Sequence, residues 1–410
     1  MQALFLTTVL PSKKLHGSEI ASQNIIDALK QIGYQVTVVG YGRKEDGKAE
    51  PAAHEILVSE RSIETKKAKL NAALWLIASF VKRLPYSSVK YQSRQYIKIV
   101  SSLLSRNEFD LIVIDHAQLA WIQQHIHLNI RTIFVAHNIE HEIYVQHSQQ
   151  AGNAIAKWIY AREAALVKQM EEHLAQAVDE VWALTQHDAA YFATVATTVQ
   201  TRELPLPSSF THFQPKTSAP SFDIGLIGSW SWKPNEEGLL WFLQQVYPHL
   251  PGHVSIHIAG KGLDWQFNQY PNITYRGFVP DAQAFMAQAK VVAIPILSGG
   301  GIQIKTLDAI ASSSTIVATP FALRGITHPP STVQIAAQPQ EFAQCLVSSL
   351  AAPAAVAEKL EEVSSWLISR RRQFIAEVAA STHQSEWQHE HRQFPRGVST
   401  TDTISQNYCV

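Results

Sequence analysis

With only two cysteines, Cys345 and Cys409, the chain has no material for a disulfide framework and fits a reducing compartment. Neither charge is in excess. Thirty-four Lys and Arg stand against 34 Asp and Glu, so no global field recommends nucleic acid or an acidic substrate. Nor is any apolar run long enough to cross a bilayer: the longest nearly unbroken one, LNAALWLIASFV (70–81), falls short of the roughly 20 residues a spanning helix needs. The opening MQALFLTTVLPSKK lacks the basic region and small-residue cleavage site of a secretory signal, and is expected to be a first strand. A Gly-x-Ser-x-Gly elbow, a Cys-x-x-Cys pair, a kinase signature and a Gly-x-Gly-x-x-Gly after a strand are all missing, which lowers hydrolase, redox, kinase and NAD-dependent readings. There is no solenoid period. The expectation is a cytoplasmic protein, at most peripheral at the inner membrane face, with no nucleic-acid partner.

What remains is ordinary globular composition, 46% hydrophobic and 17% charged. A length of 410 residues exceeds one hydrophobic core and predicts two domains of about 200 residues each. Apolar, β-branched runs alternate with helical-period segments: ALFLTTVL (3–10), YQVTVVG (34–40), FDLIVIDH (109–116), TIFVAHN (132–138) and DEVWALT (179–185). A Pro-rich stretch, LPLPSSFTHFQPKTSAP (204–220), interrupts them as a linker. The alternation then resumes with FDIGLIGS (222–229), VSIHIAG (254–260), NITYRGF (272–278), KVVAIPIL (290–297) and TIVATP (315–320). Apolar strands separated by helices predict parallel sheets covered on both faces. The fold class is therefore α/β, two Rossmann-like doubly wound domains facing a cleft. The domains are placed at 1–205 and 221–352 with a linker at 206–220. Helices over 353–391 are expected to cross back to the first domain, and 392–410 to form a flexible tail. In such sheets ligands sit beyond the carboxyl ends of strands.

SGGGIQIKTLDAIASS (298–313) follows one such strand and opens a helix whose apolar positions, Ile304, Leu307, Ile310 and Ala311, recur at three- and four-residue spacing. Glycines let a ligand approach the backbone, while the free N–H groups and dipole of the first turn attract an anion. Lys305 adds a full charge there. Asp308, on the same face, can pair with Lys305 or accept sugar hydroxyls. The plainer alternative is a Gly-rich loop with a surface ion pair. The corresponding first-domain loop, PSKKLHGSEIASQ (11–23), offers Gly17 and a candidate cap, Ser18.

AHNIEHEIYVQH (136–147) gathers His137, His141, Glu142 and His147 beyond a strand end. A metal held by His137 and His141 is the weaker reading; a polar cluster lining the cleft, with His137 as a hydrogen-bond donor, is preferred. In GSWSWKPNEEGLLWFL (228–243), Pro234 stands at a helix start and Asn235 is a candidate cap. Trp230 and Trp232 suit either a sugar or base pocket or packing. The basic, apolar segment 66–98 either lies on anionic lipid or is a core helix with snorkelling lysines.

Taken together, these stretches resemble the retaining glycosyltransferases of the GT-B fold, the family numbered four, also called group 1. The carriers are the first glycine loop, AHNIEHEIY, IGSWSWKPNEEGLLWFLQQVYPHL, and ITYRGFVPD running on to VVAIPILSGGGIQIKTLDAIASSSTIVATPFALRGI. The resemblance spans roughly residues 1–345. It implies transfer of a sugar from a nucleotide-diphosphate donor, a UDP- or GDP-sugar, to an acceptor hydroxyl, in polysaccharide or glycoconjugate synthesis. No metal or other cofactor is implied. The acceptor implied is a carbohydrate, a lipid-linked molecule or a small molecule. The diphosphate would rest on Ser298, Gly299, Gly300, Gly301, Ile302 and Lys305, with Gly17 beside it. Gly277, Phe278 and Val279 would hold the base, and Asp308 the ribose. His137 would lie by the transferred sugar, with Gly228, Ser229 and Lys233 near the diphosphate.

Three departures stand out. The family's Glu-x7-Glu pair finds Gly300 and Asp308 here. The Arg and Lys that many members carry after the Gly228 turn are missing, with only Ser229 and Lys233 nearby. A doubled glycine in the first loop is His16–Gly17. A degenerate nucleotide-sugar-binding scaffold and another GT-B enzyme, such as a sugar-nucleotide epimerase, are the alternatives.

Overall fold

The computed structural model describes all residues except 14–16, 45–49, 63–68, 127–129, 211–219, 264, 266, 352–356 and 384–410; for 69–73, 357 and 383 it describes the backbone alone. His16, Lys66, Lys67 and the expected tail 392–410 thus lie outside the described residues or side chains.

Two wholly parallel sheets organise the chain. The first is built from β1 (Gln2–Val9), β2 (Gln35–Arg43), β3 (Glu55–Arg61), β4 (Leu111–Asp115), β5 (Arg131–Ala136), β6 (Glu180–Ala183) and β7 (Gln200–Glu203). The second comprises β8 (Phe222–Ile227), β9 (Ile256–Ala259), β10 (Ile273–Gly277), β11 (Ala289–Ile294), β12 (Thr315–Ala318) and β13 (Val333–Ile335). Their orders are β3-β2-β1-β4-β5-β6-β7 and β10-β9-β8-β11-β12-β13. In both, the order reverses beside the first strand, opening a crevice at the carboxyl ends of β1 and β4 and of β8 and β11.

Burial explains why these strands read as continuous apolar runs. Along β1, Leu4 and Leu6 enter one core cluster while Ala3 and Phe5 enter the cluster on the opposite face. Along β11, Val291 and Ala293 face one way, and Val292 and Ile294 the other. Helices therefore cover each sheet on both sides, as continuous apolar strands require.

Three strands escaped the sequence reading: β3, β7 and β13. Each is a partly exposed sheet edge: β7 (QTRE) is polar throughout, β13 is three residues long, and the apolar run in β3 is only Ile56, Leu57 and Val58. The helix expected from Asn235 to Val246 begins at Lys233, and after Trp241 continues as a π-helical turn over Phe242–Val246. The helix after the glycine turn spans Ile304–Ala311.

A long helix, Ala357–His383, joins the two bodies. Val363, Trp366 and Leu367 pack on the second domain, while Phe374, Ile375 and Val378 enter the core of the first. Its buried Arg370 donates to Leu206 O at 2.8 Å and to Gly325 O at 2.7 Å, fastening the start of the linker to the second domain.

Candidate functional site

The SGGG turn lies at the carboxyl end of β11, in the second crevice, and directly against the first domain. Gly299 (φ 115°) and Gly301 (φ 66°) occupy the left-handed region where an L side chain is strained. A methyl on Gly301 would stand 2.5 Å from His137 O, and one on Gly300 3.0 Å from Asn138 Nδ2 and 3.3 Å from Ile143 Cδ1. These glycines serve the contact between domains as directly as they would serve a ligand.

The helix behind the turn begins with Gln303 at its cap position, making no side-chain cap bond. Among the described residues, Gln303 Nε2 and the neighbouring Asn138 Oδ1 are buried without a partner. In the first turn, the half-buried Lys305 donates from its ammonium to Asn235 Oδ1, and no carboxylate among the described residues pairs with it. Burial brings its pKa down from 10.5 to about 7. Asn235 in turn donates to Ser229 O at 2.9 Å. Its side chain therefore links the turn after Gly228 to Lys305 instead of capping its helix, where Trp232 takes the cap position.

At the rim, exposed Lys233 lies 3.7 Å from Glu237, which also accepts from Ser298 Oγ at 2.8 Å. Trp230 is buried and donates from Nε1 to Ala259 O at 3.0 Å, a packing role, whereas Trp232 is 43% exposed. After β10, Gly277 accepts from Gly260 N at 2.7 Å and Val279 packs against the core. Phe278 alone of the three presents a ring, 60% exposed, with Lys261 Nζ 4.1 Å from its centroid. Ile302 packs between the cores of both domains.

Asp308 does not pair with Lys305. Its Oδ1 accepts from Ser208 Oγ (2.8 Å), Ser209 N (2.9 Å) and Ser209 Oγ (2.8 Å) on the linker. Burial pushes its pKa up, opposed by these hydrogen bonds.

The first crevice supplies a constellation that the sequence reading saw only in part. Asp115, fully buried at the end of β4, takes His137 Nε2 on Oδ1 at 2.6 Å, and Thr7 and Ser22 hydroxyls on Oδ2 at 2.7 Å each. Burial alone would raise its pKa. His116 and His137 beside it, with the hydrogen bonds from His137 and Ser22, outweigh that and hold it at about 2. An ionised carboxylate only accepts, so His137 Nε2 carries the hydrogen of that bond and donates it to Asp115.

His116 stacks on His137 with centroids 3.9 Å apart, at a strained φ of 81°. Burial and His137 lower its pKa to about 3, so it is neutral near pH 7. Asp115, His116 and His137 are also the one described group whose ligand atoms all fall within 4.8 Å, the size of a metal site. Both Asp115 oxygens are already engaged, and a hydrogen-bonded cluster accounts for the geometry.

The metal pair considered for His137 and His141 does not form. His141 Nδ1 bonds to Glu171, and Glu142 lies 3.5 Å from His187. Buried Glu171, on the Ala154–Ala177 helix, also accepts from Glu140 N at 2.9 Å, holding the start of the helix that follows His137.

Gly17 opens the Gly17–Gln31 helix, with Ser18 inside its first turn and not before it. A methyl on Gly17 would lie 3.6 Å from Ile304 Cδ1, so two helix starts, one per domain, converge. Arg324 and buried Asp188 add a salt bridge across the domains at 2.9 Å. At the ends of β1 and β2, Leu10, Ser12, Lys13, Glu19 and Arg43 line a shallow depression of about 20 Å³.

The residues that sequence reasoning missed are Asp115, His116, Ser208 and Ser209. Asp115 left one signal: a lone acid closing the apolar run LIVID.

Comparison with known proteins bears on the fold and on the second domain. Residues 221–352 match the family model described as glycosyl transferases group 1. No curated protein matches the chain by sequence. Among solved structures, a sucrose-phosphate synthase from Thermosynechococcus elongatus superposes with a TM-score of 0.64 at 14% identity, over 95% of this chain and 99% of that one. A trehalose-6-phosphate synthase gives 0.62 at 14%, over 94% and 99%. HepE of Anabaena, solved with UDP and glucose, gives 0.56 at 13%, over 95% and 99%. The chain has the GT-B glycosyltransferase fold, and the stretch 221–352 within it is similar to the glycosyl transferases group 1.

Proposed function

We propose that the protein is a retaining glycosyltransferase that moves a sugar from a nucleotide-diphosphate donor to an acceptor hydroxyl. The observation that carries this reading is Lys305. A cation in the first turn of a helix, behind a three-glycine turn and without an acidic partner among the described residues, is suited to an external anion. Gln303 Nε2, buried and unpartnered, adds a donor at the same helix start. HepE, a structural neighbour solved with UDP and glucose, makes a UDP-sugar the first donor to try.

In this reading the chemistry follows from charge. Departure of the diphosphate builds negative charge, and preorganised N–H donors with Lys305 stabilise it where water is scarce. The acceptor hydroxyl attacks from the same face as the bond to the diphosphate breaks and passes its proton to the departing phosphate oxygen, so configuration is retained without a protein nucleophile. His137, oriented by Asp115, presents Nδ1 to a sugar hydroxyl for a hydrogen bond. Phe278 offers its ring to the base. Asp308, in the ribose position of the family pattern, keeps Oδ2 for that contact while Oδ1 holds the linker.

The test is thermal unfolding of the full chain with UDP, GDP, ADP and their sugar conjugates, beside Lys305→Ala. One diphosphate series should raise Tm, by about 2.7 kcal/mol of stabilisation at a hundred times Kd, and Lys305→Ala should abolish the rise. Stabilisation by none of them at millimolar concentration would remove the reading's support. Binding without turnover on any acceptor would favour the degenerate scaffold.

A further inference from the structure

The segment 66–98 is not a core helix. Its helix, Lys69–Lys82, leaves Leu74, Ile77 and Val81 at 62%, 60% and 79% exposure on one face, spaced three and four residues apart. A second helix, Ala154–Ala177, enlarges that face with Ile155 (74%) and Trp158 (59%). The two are fastened together. Phe80 stacks on Trp158 with centroids 5.8 Å apart, and Arg162 lies 4.0 Å over the Phe80 ring while donating to Ser79 O at 2.9 Å. Rigidly presented apolar side chains of this size, contiguous across two helices, mark an interaction surface.

Charge says what kind. Between Thr65 and Asn107 there are nine Lys and Arg and no Asp or Glu, in a chain whose overall balance is zero. Residues 143–162 likewise hold no acid. Exposed Lys82 and Arg83 border the apolar face at one helix end, and exposed Lys157 stands between Ile155 and Trp158. A second copy docking through this face would bring like charges together across a twofold axis. A nucleic acid would satisfy the cations but leave Leu74, Ile77 and Val81 in water. An anionic lipid surface satisfies both, the bases at the headgroups and the aliphatic side chains below them, with Trp158 at the interfacial depth it favours.

We propose that the exposed faces of Lys69–Lys82 and Ala154–Ala177 form a docking surface for anionic membranes. No described helix is long and apolar enough to cross a bilayer, so attachment through this face is peripheral. The surface is independent of the donor site, and its failure would leave the transferase reading untouched.

Vesicle sedimentation tests it, using the full chain with phosphatidylcholine vesicles and with vesicles containing about a third phosphatidylglycerol. Binding should require the anionic lipid and weaken steeply with salt. Ile77→Glu/Val81→Glu places acids only at exposed positions and should weaken binding about tenfold or more. Lys157→Glu should weaken it by a smaller factor. Thermal stabilisation by nucleotide, read on the same samples, should stay unchanged and shows that the variants are folded. Three results would overturn the proposal: no binding to anionic vesicles, equal binding to both vesicle types, or full binding by the double variant. So would a wild-type dimer in sedimentation velocity that the double variant dissociates, since the face would then belong to a second copy.

Discussion

Replacing Lys305 with methionine should make the ligand-free protein more stable while removing its response to diphosphates. A lysine pKa lowered from 10.5 to about 7 means the charged form is disfavoured in the native state. At about 1.4 kcal/mol per pKa unit this is about 5 kcal/mol, and the partial solvent contact of the side chain discounts it to about 2 kcal/mol. The unfolded chain binds the proton between pH 7 and 10.5 and the native one does not, so native stability rises with pH across that window. The deficit is complete at and below pH 7. Methionine matches the stem of the side chain and has no charge to bury. It forfeits the bond to Asn235, which costs about 1 kcal/mol. The net gain is about 1 kcal/mol, or about 2–4 °C in Tm at pH 7 for a domain of this size. The gain should shrink as pH rises from 7 towards 10.5, where the lysine of the unfolded chain is neutral as well. Differential scanning calorimetry across pH 6 to 10, with and without UDP, reads both effects. A variant less stable than wild type at pH 7, or one still stabilised by UDP, refutes the account of Lys305 as a cation kept for an external anion.

The same group sets the pH dependence of donor binding: diphosphate association by calorimetry should weaken about tenfold per unit as pH rises above 7, because binding must then take up a proton. Asp115→Asn should lower kcat for transfer about 10- to 100-fold with UDP stabilisation retained, since it misorients His137 without touching the diphosphate turn. Because Asp115 is held at about 2, its contribution to stability, about 2 kcal/mol, is present above pH 4 and lost as pH falls from 4 to 2; acid unfolding should shift upward in Asp115→Asn. Asp308→Ala strands the Ser208 and Ser209 donors and should cost about 1–3 kcal/mol in denaturant unfolding, with looser domains by small-angle scattering.

Interior strands were legible because both faces of a parallel sheet are buried, which writes LIVI (111–114) and VVAI (291–294) as unbroken apolar runs. Edge strands such as Gln200–Glu203 were not, since half their side chains meet water. The glycine turn and Lys305 announce themselves because their chemistry is local: glycines, a cation and a helix start within eight residues. The partners that define the site are not local. Asn235 reaches Lys305 across 70 positions, and the linker serines reach Asp308 across 99 and 100. No periodicity encodes such pairings; they arise when strand order brings β8 beside β11 and closes the linker over the second domain. The exposed face of Lys69–Lys82 was half legible. The sequence showed an apolar helix with basic flanks, and only the packing of Phe80 on Trp158 shows that its outer side stays uncovered.

The missing acid at position 300 follows from this closed arrangement. In the family pattern an acid stands eight residues before the second one, where this chain has Gly300 and Asp308. Yet a single methyl at Gly300 already lies 3.0 Å from Asn138 Nδ2, and a carboxylate-bearing chain would have to displace Asn138 or Ile143 of the other domain. Gly300→Glu should therefore wedge the domains apart instead of restoring a lost contact. Donor stabilisation should fall about tenfold in affinity, and Gly300→Ala should lie between it and wild type. Removing the obstacle discriminates the cause: with Asn138→Gly added, Gly300→Glu should recover much of that loss, a coupling that independent sites do not show. If Gly300→Glu alone binds donor or turns over better than wild type, the glycine is a vacancy left by degeneration, and the close contact with Asn138 has no part in how the domains meet.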